Sequence, residues 1–67
     1  MQISEKVLDR AYEALYGELS KDDGLVRLEG LGGLSVSKAE DEFKGFVFWA
    51  STEHKGKQIF LYQPMVD

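Results

Sequence analysis

The one histidine of the chain, His54, lies in Glu53-His54-Lys55-Gly56-Lys57, with Ser51 just upstream. Serine, histidine and carboxylate are the types a nucleophilic triad uses. Such a triad needs the histidine within hydrogen-bond reach of the hydroxyl and held by the acid. A polar turn at a hairpin tip cannot preorganise that set, so the segment reads as a solvated turn. There is no cysteine, hence no thiolate nucleophile, disulfide framework or thiolate zinc site. Asp22-Asp23 and Glu40-Asp41-Glu42 gather carboxylates, but neither has the oxygen and glycine spacing of a calcium loop. Gly30-Leu31-Gly32-Gly33 lacks the third glycine of a phosphate-cradling fingerprint and opens no helix. The sequence therefore predicts no enzyme, no catalytic residue, no metal site and no cofactor.

What remains is charge and aromatic surface. Twelve Asp and Glu against eight Lys and Arg leave a net charge of −4. Glu5, Asp9 and Glu13 follow one another at four-residue steps, which on a helix is a single ridge, and Tyr12 and Tyr16 border it. Glu40, Asp41 and Glu42 form a second patch. Carboxylates so spaced can imitate nucleic-acid phosphates and occupy a Lys/Arg groove, so these eight residues are the candidate partner-binding set. Lys6 and Arg10 offset the ridge in part, and a solvated surface is the plain alternative. Direct binding of duplex DNA is disfavoured by the same charge, since affinity comes from cations neutralising phosphates. The basic tip His54-Lys55-Gly56-Lys57, with Lys44, is the local exception.

Elements that could position these groups follow from periodicity. Ile3, Val7, Leu8, Ala11, Leu15 and Leu19 recur at the helical period, Ser4 can cap the start, and Ile3 with Leu8 fits a hydrophobic staple. The spacing predicts a helix over 4–21, with Gly24 as its stop and Gly17 weakening its last turn. Leu25–Gly30 and Leu34–Lys38 flank the glycine-rich turn as one hairpin. The alternation in Leu34-Ser35-Val36-Ser37 predicts one buried and one wet face. Phe46–Ala50 and Ile59–Tyr62 flank the polar tip as a second hairpin and are apolar on both faces. The expected fold is α+β: one domain over 1–67, an N-terminal helix packed on an antiparallel sheet of about four strands. Leu8, Leu15, Leu28, Val36, Phe48 and Leu61 are the expected core.

One helix covers one sheet face, so the other, with Val47, Trp49, Phe60 and Tyr62, is expected to meet a partner. A 67-residue chain is marginal alone and favours one. A homodimer through that second face is one form. No apolar run approaches the ~20 residues of a bilayer span. Met1-Gln2-Ile3-Ser4-Glu5 lacks the basic and apolar parts of a signal peptide, which makes the cytoplasm the expected compartment.

Val26-Arg27-Leu28-Glu29-Gly30-Leu31-Gly32-Gly33-Leu34-Ser35-Val36 resembles the first hairpin of the HU/IHF family of bacterial nucleoid proteins, where a helix leads into Val-x-Leu-x-Gly-Phe-Gly-x-Phe-x-Val. The run from Ala11 to Leu19 is similar to that family's second helix. The resemblance covers about a third of the chain and implies an obligate dimer that binds DNA. This chain departs from it: the first helix is missing, the segment after Val36 is Ser37-Lys38-Ala39-Glu40-Asp41-Glu42, and the arginines of the DNA-binding arm have no counterpart. No DNA-binding residue carries over. In size and charge the chain also looks like small phage-encoded inhibitors such as anti-CRISPR proteins. The leading expectation is thus a non-enzymatic acidic protein that inhibits or modulates a larger protein, one that handles nucleic acid, by occupying its basic surface. The alternatives are an HU-like dimeric nucleic-acid-binding protein and an accessory subunit of an assembly.

Overall fold

The computed structural model describes residues 3–18 and 24–65. Its elements in chain order are helix α1 (Glu5–Tyr16) and strands β1 (Val26–Arg27), β2 (Ser35–Ser37), β3 (Phe46–His54) and β4 (Lys57–Pro64). The chain is an α+β protein with an N-terminal helix and a four-stranded antiparallel sheet, ordered β1-β2-β4-β3.

Ser4 caps α1: its hydroxyl accepts from the Val7 amide at 3.2 Å, and its carbonyl accepts from Leu8 at 3.0 Å. The helix ends sooner than the periodicity predicts, at Tyr16 rather than near residue 21. Gly17 is its C-cap, not an interior weakness. Its backbone turns extended after donating to the Glu13 carbonyl at 2.9 Å. A Cβ there would sit 2.3 Å from that carbonyl oxygen, so only glycine fits without rearrangement. Leu19 and the Asp22-Asp23 pair lie outside the described residues.

Ala11 and Leu15 of α1 pack with Val36, Ile59 and Leu61 of the sheet and with Leu31, while Ile3, Val7, Leu8, Val26, Leu28 and Ala50 close the rim. Of the expected core, Leu15, Val36 and Leu61 are buried and Leu8 and Leu28 partly so. Phe48 is not core: it is 44% exposed, on the face turned away from the helix. Strand alternation explains this, because Phe48 pairs with Tyr62, whereas Leu61 and Ile59 point to α1.

The first hairpin is shorter than expected, pairing only Val26 with Val36 and Arg27 with Ser35. The intervening loop folds back so that Leu31 plugs the core. Gly30, at φ +91°, allows the close approach, since a Cβ there would lie 3.3 Å from Val7 Cγ2. Arg10 seals the contact by donating to the Glu29 carbonyl at 3.2 Å. The second hairpin is longer than expected. Strand pairing runs out to His54 and Lys57, leaving a two-residue turn, Lys55-Gly56, with positive φ at both residues as a type I′ turn requires.

The two hairpins do not lie side by side in chain order. β4 inserts between β2 and β3, antiparallel to both, so β2 and β3 run parallel. Their connection, residues 38–45, must therefore cross β4. It does so on the face opposite α1, and Ser35 and Ser37 are buried there rather than wet.

Candidate functional site

The crossing loop is held from below by two buried hydroxyls. Ser37 Oγ donates to the Ala39 carbonyl at 3.1 Å and accepts from the Ala39 amide at 3.2 Å. Tyr62, 1% exposed on β4, accepts from the Asp41 amide at 2.9 Å and donates to the Asp41 carbonyl at 2.9 Å, with the Ala39 carbonyl at 3.4 Å as a weaker acceptor. Phe43 closes the loop edge-on against the Tyr62 ring, centroids 5.0 Å apart. Asp41 Oδ1 accepts from the Glu42 amide at 2.8 Å. The backbone of the Glu40-Asp41-Glu42 segment is thus fixed from inside, while all three residues are exposed.

The helical ridge is built differently. Glu5 and Glu13 are exposed on α1, but Asp9 is engaged by the tip of the β3–β4 hairpin. Its Oδ1 lies 2.6 Å from His54 Nε2 and 3.3 Å from Lys55 Nζ. These two contacts hold its carboxyl below the ordinary aspartate range, the His54 hydrogen bond first and Lys55 second. The Lys55 ammonium also lies 5.3 Å from the Tyr12 ring centroid, and Lys57 Nζ lies 5.7 Å from that of Tyr16. Tyr12 packs against both Tyr16 and the His54 ring. Tyr16 donates to the Gln58 carbonyl at 2.7 Å.

The tip expected to be a free solvated turn is therefore clamped to the helix. The clamp explains Lys55, which adopts a left-handed φ of 53° where Asn or Gly is usual. The cost of that backbone is offset by its contacts with Asp9 and Tyr12. Asp9, Tyr12 and Tyr16 accordingly serve an intramolecular contact, and the basic tip is partly neutralised by the same contact. The two acidic patches lie on opposite sides of the sheet and do not form one surface.

Ser51, Glu53 and His54 do not assemble a triad. His54 turns toward α1 and Asp9, while Ser51, paired with Phe60, faces the other way. Among the described residues no three His, Asp or Glu gather where they could hold a metal ion. No helix among them is long and apolar enough to cross a membrane.

The apolar surface also differs from expectation. Tyr62 is buried and Phe60 half-buried, so they do not form an open face with Val47 and Trp49. Among the described residues the exposed large apolar side chains are instead three in succession on the edge strand, Val47 at 42%, Phe48 at 44% and Trp49 at 38%, and Met65 just after β4. A β-bulge between Phe48 and Ala50 leaves Trp49 outside the regular pairing.

Sequence reasoning missed Ser37, Phe43 and the Tyr62 hydroxyl as the supports of the acidic loop. Their role depends on strand order, which local patterns do not carry. In comparisons with known proteins, this chain matches no family model, no curated protein and no solved structure.

Proposed function

We propose that this chain is a non-enzymatic binding protein that docks on the basic surface of a larger, nucleic-acid-handling protein and modulates or inhibits it, acting in the cytoplasm in the manner of small phage-encoded inhibitors. The observation that carries the reading is the Glu40-Asp41-Glu42 loop: three consecutive exposed carboxylates on a backbone held by the buried Tyr62 hydroxyl. A charged segment already fixed in shape loses less conformational entropy on binding, and its charge steers the encounter with a basic groove. The helical ridge is the lesser contributor, because the Asp9 carboxylate is shared with His54 and Lys55.

The test starts with capture from a lysate on immobilised protein, stepwise salt elution and mass spectrometry. The captured protein's binding to duplex DNA is then titrated with this chain. The expected result is competition that weakens as salt rises, because exposed charges are screened over ~8 Å at physiological ionic strength. Asp41→Lys/Glu42→Lys should abolish it and Glu5→Lys/Glu13→Lys should weaken it less, each variant being checked for fold by circular dichroism. Equal competition by both folded variants would refute the reading. Tight binding of duplex DNA by the free chain, lost in Lys55→Glu/Lys57→Glu, would favour the HU-like alternative instead.

A further inference from the structure

We infer that the partner meets this chain with an arginine-bearing segment, one guanidinium lying on the exposed Phe48 ring while its neighbours pair with Glu40, Asp41 and Glu42; this rests on the docking proposed above and adds the chemistry the partner must carry. Phe48 is exposed on the sheet face turned away from α1, the face that the acidic loop crosses. Tyr62 ties the two together. Its ring lies 5.8 Å from that of Phe48 and 5.0 Å from that of Phe43, and its hydroxyl holds the Asp41 backbone. Phe60 also packs against Phe48, ring centroids 6.3 Å apart. The exposed ring is thus held by two aromatic neighbours, within one tyrosine side chain of the acidic loop. A surface fixed in this way loses little conformational freedom on binding.

The chain's own contacts show what occupies such a combination of carboxylate and ring. At the hairpin tip the Lys55 ammonium lies over the Tyr12 ring while reaching Asp9, and Lys57 lies over Tyr16. There the cation comes from within. At Phe48 none does: among the described residues no Lys or Arg lies over Phe43, Phe48 or Phe60, and Glu40, Asp41 and Glu42 form no ion pair. From Glu40 to Lys44 the loop holds three carboxylates and one ammonium, so its charge complements a cationic occupant. A purely apolar occupant would gain nothing from those carboxylates. Arginine fits both halves of the surface better than lysine. Its planar guanidinium stacks on an aromatic face, forks onto a carboxylate and is weakly hydrated, whereas an ammonium is a compact, strongly hydrated point charge.

The test titrates the full chain, by isothermal calorimetry at low salt and at ~0.15 M salt, with a pair of peptides of equal length and charge. One alternates arginine with glycine, the other lysine with glycine. The arginine peptide should bind about fivefold more tightly, the advantage of a guanidinium seated on a ring. Phe48→Leu keeps an apolar side chain but removes the ring; with its fold checked by circular dichroism, it should bring that ratio down to about one. Asp41→Lys/Glu42→Lys should weaken both peptides, and Glu5→Lys/Glu13→Lys should leave the ratio unchanged. Equal binding of the two peptides by the wild type overturns the inference. So does binding of neither, or a preference that persists in folded Phe48→Leu. Failure here is distinct from failure of the docking itself. Competition with DNA for the captured protein, without an arginine preference, removes this inference alone. An arginine preference without that competition leaves the arginine-binding surface standing and removes the proposed docking.

Discussion

Replacing Tyr62 with phenylalanine removes one oxygen and leaves the ring against Phe43 and Phe48. Lost with it are one accepted and one donated hydrogen bond, both at 2.9 Å and both to the backbone of Asp41. A typical intramolecular hydrogen bond contributes ~0.5–1.5 kcal/mol net, which bounds the pair at ~1–3 kcal/mol. Asp41 is exposed, so water can take over part of the lost bonding, and the expected cost is ~1–2 kcal/mol. For a domain this small, each kcal/mol moves the melting midpoint by ~4–8 °C, so Tyr62→Phe should melt ~4–16 °C lower. Thermal unfolding followed by circular dichroism reads the global effect. Amide hydrogen exchange at Asp41 and Glu42 reads the local one, and should speed up more than exchange at Ile59 or Leu61. An unchanged midpoint together with unchanged exchange at Asp41 would show that the hydroxyl does not hold the loop.

Leu15→Ala should cost ~2–5 kcal/mol, because Leu15 is fully buried at the centre of the helix–sheet contact. Urea titration should show loss of most or all of the folded state. Gly17→Ala places a methyl group 2.3 Å from the Glu13 carbonyl oxygen and should destabilise by ~1–3 kcal/mol in the same assay. Asp9 has its pKa lowered in the fold, so its stabilising contribution is complete above the unfolded value of ~3.9 and is lost as pH falls through the folded value. Asp9→Asn should therefore lower the urea midpoint at neutral pH and flatten its fall in acid. Parallel acid limbs for variant and wild type would remove the clamp's role.

Much of the fold was legible because it is local. The Ser4 cap, the apolar period of α1, the glycines of the first turn and the two apolar runs of the second hairpin each sit within a few residues of what they determine. The errors share a cause. The periodicity overruns the end of α1 because it continues to Leu19, whereas Gly17 stops the helix by leaving room for a carbonyl. Ser35 and Ser37 look wet by alternation, yet a crossing loop covers them. The tip at His54 and Lys55 looks free, yet Asp9, far away in sequence, holds it. Of the candidate site, the acidic residues themselves were readable. Which of them are already engaged was not, since Asp9 and Tyr12 meet their partners only once the hairpin lies on the helix.

The position of β4 has a kinetic consequence. It is the last of the four strands in the chain and one of the two interior ones, with partners on both sides. Before it arrives, β2 and β3 have nothing between them, α1 lacks Ile59 and Leu61 as its floor, and the crossing loop lacks its Tyr62 post. The β3–β4 hairpin, closed by a two-residue turn, is the larger of the two extended pieces whose contacts are local, β1–β2 having only two residue pairs. Its docking onto β2 and α1 must instead close long loops, and pairings distant in sequence slow folding. Refolding should accordingly be a single late event that requires the whole segment through Tyr62. During synthesis, the residues preceding Lys57 emerge without the strand that would let them cohere.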